Sequence, residues 1–75
     1  MFEEIKEMIC EYVEVDADSI TLESRFIEDL GFNSYDFMSL LGEIEERYEI
    51  TVNEEDILGI HTIEEAIEYF ESLKA

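Results

Sequence analysis

Apolar residues recur along this chain at spacings of three and four, broken by one long stretch without a period. Phe2, Ile5, Ile9, Tyr12 and Val13 share one stripe of a first helix, with Glu3, Glu4, Glu7, Glu11 and Glu14 mostly outside it. The pattern predicts that this helix ends near Val15. From Asp16 to Phe32 the periodicity lapses, and Ile20, Leu22, Phe26, Ile27 and Leu30 are expected to pin a long loop onto the core. A loop of that length in a small domain usually has a function. Asn33 is suited to cap a second helix running to about Tyr48, with Phe37, Leu41, Ile44 and Tyr48 as its inward stripe, helped by Leu40 and mildly interrupted by Gly42. Asn53 is suited to cap a short turn from Glu54 to Leu58 that Gly59 would end. Thr62 and Glu65 then form a T-x-x-E capping box, ahead of a last stripe of Ile63, Ala66, Ile67, Phe70 and Leu73. Residues 49–53 alternate briefly and read as a connector more than a strand. The pattern predicts an all-α domain of three longer helices, with a short one before the last.

Composition narrows what such a bundle can do. At 75 residues the chain holds one modest core, so residues 1–75 are read as a single domain. Hydrophobic residues make up 47% of it, too many for a disordered acidic tail, although 22 acidic residues face only 4 basic ones. A formal charge of −18 repels phosphates, which argues against nucleic acid and anionic membranes and for partners with basic docking patches. Cys10 is the only cysteine, so neither an intrachain disulfide nor a thiol zinc cluster can form. The acidic start and the lack of any apolar run near 20 residues fit a complete, cytoplasmic, monomeric chain.

Two features of the second helix carry chemistry. Ser34 falls at its first position, where backbone N–H groups lack intrahelical acceptors and the helix end is partially positive. A phosphate ester on this hydroxyl would be stabilised, although by position alone the reading of Ser34 as an ordinary first-turn residue prevails. On the side opposite the core lie Ser39, Glu43 and Glu46, flanked by Asp36, Glu49 and the apolar pair Tyr35 and Met38. The charge there reads as a solvated face; the apolar pair beside it reads as a small contact surface for another protein.

The stretch "SITLESRFIEDLGFNSYDFMSLLGEIEERYEI", continued by "NEEDILGIHTIEEAIEYFESL", resembles the acyl carrier proteins. Their pattern is an apolar-anchored loop, an acidic residue, Leu-Gly, a short spacer, Asp-Ser-Leu and an amphipathic acidic helix. The resemblance covers nearly the whole chain and implies a small four-helix bundle. It also implies that Ser34 is esterified by the phosphate of 4'-phosphopantetheine, donated by coenzyme A through a separate Mg²⁺-dependent phosphopantetheinyl transferase. The arm would hold acyl groups as thioesters. Tyr35, Asp36, Met38, Glu43, Glu46 and Glu49 would then form the partner-binding face, and the chain itself would bind no metal and catalyse nothing.

This sequence departs from the family pattern at three points. Asp-Ser-Leu is Asn33-Ser34-Tyr35, which keeps a good cap but loses its charge. Tyr35 keeps apolar area and adds a hydroxyl, and Gly42 stands where the family often has a large apolar residue, a change that reads equally as room for a partner to approach closely or as drift. The core residues Phe37, Leu41, Ile44, Ile57, Ile63 and Phe70 are candidates to part around an acyl chain.

Other constellations fail. Asp16 and Asp18 open like a calcium loop, but Ile20, Thr21 and Ile27 occupy positions that need oxygen ligands or glycine. His61 stands alone before the Thr62 cap, without the partners that nucleophilic catalysis needs. The expected function is that of an acyl carrier in fatty acid or related biosynthesis. A carrier-fold acidic interaction module without cofactor is the alternative, kept open by Asn33; fatty acid, polyketide, peptidyl and D-alanyl roles are not separable from these residues.

Overall fold

The computed structural model describes residues 1–74 and contains four α-helices: α1 (Phe2–Tyr12), α2 (Ser34–Tyr48), α3 (Glu54–Ile57) and α4 (Ile63–Lys74). The described residues contain no strand, so the chain is all-α, and residues 49–53 are a connector. Ile5, Met8 and Ile9 of α1, Phe37, Leu40, Leu41 and Ile44 of α2, and Ile63, Ala66 and Phe70 of α4 bury the common core. Met8 was not part of the stripe read from the sequence, whereas Tyr48 and Ile67 are only half-buried and Leu73 lies at the exposed end of α4.

Helix α1 stops at Tyr12, three residues before the expected end. Val13 is extended (φ −135°, ψ 152°), and its N–H still donates to the Ile9 carbonyl. The β-branched Val13 and Val15 favour extended backbone, and Asp16 accepts from the Asp18 N–H at 3.0 Å to start a 3₁₀ turn over Ala17–Ser19.

The long loop is anchored largely by main chain. The Phe26 N–H donates to the His61 carbonyl at 3.0 Å, the Ile63 N–H to Ser24 at 3.0 Å and the Glu64 N–H to Leu22 at 2.9 Å. Arg25 and Thr62 thereby pair as an isolated antiparallel bridge. Ile20, Phe26, Leu30 and Phe32 are buried beneath this seam. Leu22 and Ile27 are not: Ile27 is 53% exposed, because the turn that sinks Phe26 and Leu30 rotates it outward. Gly31, at φ +79°, reverses the chain after this turn and delivers it to Asn33, a conformation that favours glycine. Phe26 packs against Phe37 (centroids 5.0 Å apart) and edge-on against Phe32 (5.9 Å), which in turn meets Tyr12 (6.1 Å). This aromatic cluster fixes the start of α2 on the bundle.

The short α3 buries none of its own residues. It is capped by Asn53, whose side chain accepts from the Glu55 N–H at 3.0 Å. Tyr69 of α4 ties it down, its hydroxyl accepting from the Asn53 N–H at 3.0 Å and donating to Asp56 at 2.8 Å. Gly59 follows it without a positive φ: the Gly59 N–H closes back onto Asp56 and the Ile60 N–H onto Ile57. The capping box of α4 forms as expected, with the Glu65 N–H donating to Thr62 Oγ1 at 3.2 Å and the Thr62 N–H to Glu65 Oε1 at 3.0 Å.

Candidate functional site

The start of α2 is built from the Gly31 turn and the Asn33 cap. Asn33 is extended, its Oδ1 accepts from the Asp36 N–H at 2.7 Å, and its carbonyl accepts from the Phe37 N–H at 3.0 Å. The backbone N–H groups of Ser34 and Tyr35 have no acceptor among the described residues. Ser34 is exposed, and its hydroxyl makes no hydrogen bond among the described residues. An accessible oxygen, two unpaired backbone donors, the positive end of a four-turn helix and a neutral amide at the cap form a donor set that suits a phosphodiester.

The outward face of α2 divides in two. Tyr35 (79% exposed) and Met38 (47% exposed) stand near Ser34, with Glu46 and Glu49 exposed further along. Glu43 lies toward α1 instead. It is half-buried, accepts from the Tyr12 hydroxyl at 3.2 Å and has Arg47 at 3.9 Å. Burial first, and then the hydrogen bond to Glu43, raise the Tyr12 phenol above its ordinary pKa. Asp36 is also half-buried. The open part of the predicted face is therefore Tyr35, Met38, Glu46 and Glu49, with Asp36 and Glu43 at its margin.

Gly42 sits on this open side, where an added Cβ would meet nothing within 4 Å. A shallow open groove between α2 and α3 continues the apolar surface, lined by Met38, Ile57 and Leu58 with Glu54 and Glu55 at its rim. Leu58, 82% exposed, is a member of this surface that the sequence reading passed over. Glu45 was also passed over; its Oε2 accepts from the Val52 N–H at 3.0 Å and holds the connector to α2. Among the described residues no group of three or more His, Cys, Asp or Glu is arranged to hold a metal ion, and no helix is long and apolar enough to cross a membrane.

The family described as "Phosphopantetheine attachment site" matches residues 3–70. An acyl carrier protein of Clostridium perfringens (strain 13) is 41% identical over 69 residues, covering 92% of this chain and 91% of that protein. One from Campylobacter jejuni (strain RM1221) is 36% identical over 73 residues, covering 97% and 95%. Among solved structures, the acyl carrier protein of Enterococcus faecalis superposes with a TM-score of 0.83 over 96% of this chain and 91% of that one, at 24% identity, a likeness of fold.

Proposed function

The chain belongs to the acyl carrier proteins of the phosphopantetheine-attachment family, and from that premise we propose that Ser34 is the hydroxyl that bears its 4'-phosphopantetheine arm. The observation that carries this reading is the exposed Ser34 oxygen at the first position of α2, beside two unpaired backbone donors. The protein is a carrier and not an enzyme. When attached, the arm supplies a terminal thiol that holds acyl groups as thioesters. The chain's own residues anchor and present: Ser34 Oγ forms the ester bond to phosphate, the first turn of α2 stabilises the negative charge, and the aromatic cluster beneath keeps that turn in place.

The partners of this reading are a phosphopantetheinyl transferase and the acyl-transferring or acyl-modifying enzymes of fatty acid or related biosynthesis, met by a monomeric chain in the cytoplasm. Glu46 and Glu49 steer their basic patches, while Tyr35, Met38 and Leu58 make the short-range apolar contact. Weak contact suits a shuttle, because tethering raises effective concentration without tight binding. An acyl chain would find shelter by parting α2 from α3, which buries no residue fully and is held by the half-buried Ile57 and the hydrogen bonds of Tyr69.

Incubation with coenzyme A and a broad-specificity transferase is expected to add one phosphopantetheine, read by intact-protein mass, and to add none to Ser34→Ala. An unmodified wild-type chain that instead forms a stable complex with a basic partner would favour a cofactor-free interaction module.

A further inference from the structure

We propose that the side-chain amide of Asn33 donates a hydrogen bond to the phosphate carried by Ser34 and so makes this chain more stable loaded than bare. The inference rests on attachment at Ser34. Its basis is the division of labour within one amide. Oδ1 of Asn33 accepts from the Asp36 N–H at 2.7 Å, a short cap contact that only the oxygen end of the amide can make. The cap therefore fixes which end faces the helix, and the two Nδ2 hydrogens make no hydrogen bond among the described residues. They belong to the residue next to the esterified oxygen, together with the unpaired N–H groups of Ser34 and Tyr35. An aspartate here would cap equally well but would set a carboxylate beside the phosphodiester, two like charges on adjacent residues. With asparagine, the cap that shapes the helix start also supplies a donor to the anion, and charge-assisted hydrogen bonds of this kind are the stronger ones.

The amide is a positioning group, so its test compares the loaded with the bare protein in three capping backgrounds. Wild type, Asn33→Ser and Asn33→Asp all retain a good N-cap residue, and their bare forms are expected to melt alike. On loading, the melting temperature of the wild type is expected to rise by on the order of 4 °C more than that of Asn33→Ser. Asn33→Asp is expected to gain least, and to recover toward Asn33→Ser as salt screens the repulsion. In ¹H–¹⁵N spectra, one of the two Asn33 Nδ2 protons is expected to move downfield on loading. Equal loading increments in the three proteins, with an unmoved Asn33 side-chain resonance and an arm located at Ser34 by peptide mass, would overturn the amide's role and leave the attachment intact. An arm missing from Ser34 after transferase treatment would overturn both.

Discussion

At Glu65 one carboxylate oxygen accepts from the backbone N–H groups of His61 and Thr62, both at 3.0 Å. The His61 N–H and then the Thr62 N–H hold this carboxyl below its ordinary pKa of 4.5. A depressed carboxyl contributes stability that is fully present above the unfolded value and disappears as pH falls through the folded one. Glutamine at 65 keeps an acceptor but does not titrate. The melting-temperature difference between wild type and Glu65→Gln is therefore expected to be greatest near neutrality and to shrink below about pH 4.5, a comparison in which the other carboxylates cancel. The Thr62–Glu65 box and the Asn33 cap were legible in the sequence because their partners lie within four residues. Glu43 was not. Its partner Tyr12 is 31 positions away, and no local pattern says that an acidic residue on a solvated face has been turned toward another helix.

Helix α2 carries a glycine where its backbone needs none and lacks one where glycine would fit. Gly42 lies in the helix interior with open space at its Cβ, so Gly42→Ala is expected to stabilise by about 1 kcal/mol. Glu49, at φ 54° and ψ 48°, takes the left-handed position that ends the helix, at a cost of roughly 1 kcal/mol for a residue with a side chain. Each of Gly42→Ala and Glu49→Gly should raise the melting temperature by about 4–8 °C in thermal unfolding. Both positions lie on the proposed docking surface, so acyl transfer by the same variants is expected to slow even as the fold strengthens. The three longer helices were readable because each buries a stripe at helical period, whereas the short α3 buries none of its residues and was marked only by its Asn53 cap. The loop was less so: Phe26, Leu30 and Phe32 go inward while Ile27 goes out, an outcome set by the backbone seam with residues 61–64 and not by any repeat in the loop.

Across the whole molecule the charge is lopsided, and what little positive charge exists is already engaged. Lys6 lies 3.2 Å from Glu3, Arg25 contacts Glu28 at 2.6 Å, Arg47 lies 3.9 Å from Glu43, and Lys74 sits 5.1 Å from the centre of the Tyr48 ring. The remaining carboxylates repel one another and draw in basic surfaces. Raising salt or adding Mg²⁺ is expected to raise the melting temperature, and indifference to both would show that repulsion is not opposing the fold. For association, the double variant Glu46→Lys and Glu49→Lys should slow transfer to a basic partner enzyme and flatten its dependence on ionic strength. Reversing Glu43 should act mainly on stability, through the lost bond from Tyr12. The seam between the loop and the lead-in to α4 has a further consequence. Because Phe26, Ile63 and Glu64 fasten it with main-chain N–H groups, side chains along residues 22–26 and 61–64 that face water are at liberty to change without moving the serine. A relative could thus exchange these water-facing side chains freely while the loop keeps its seat on the bundle.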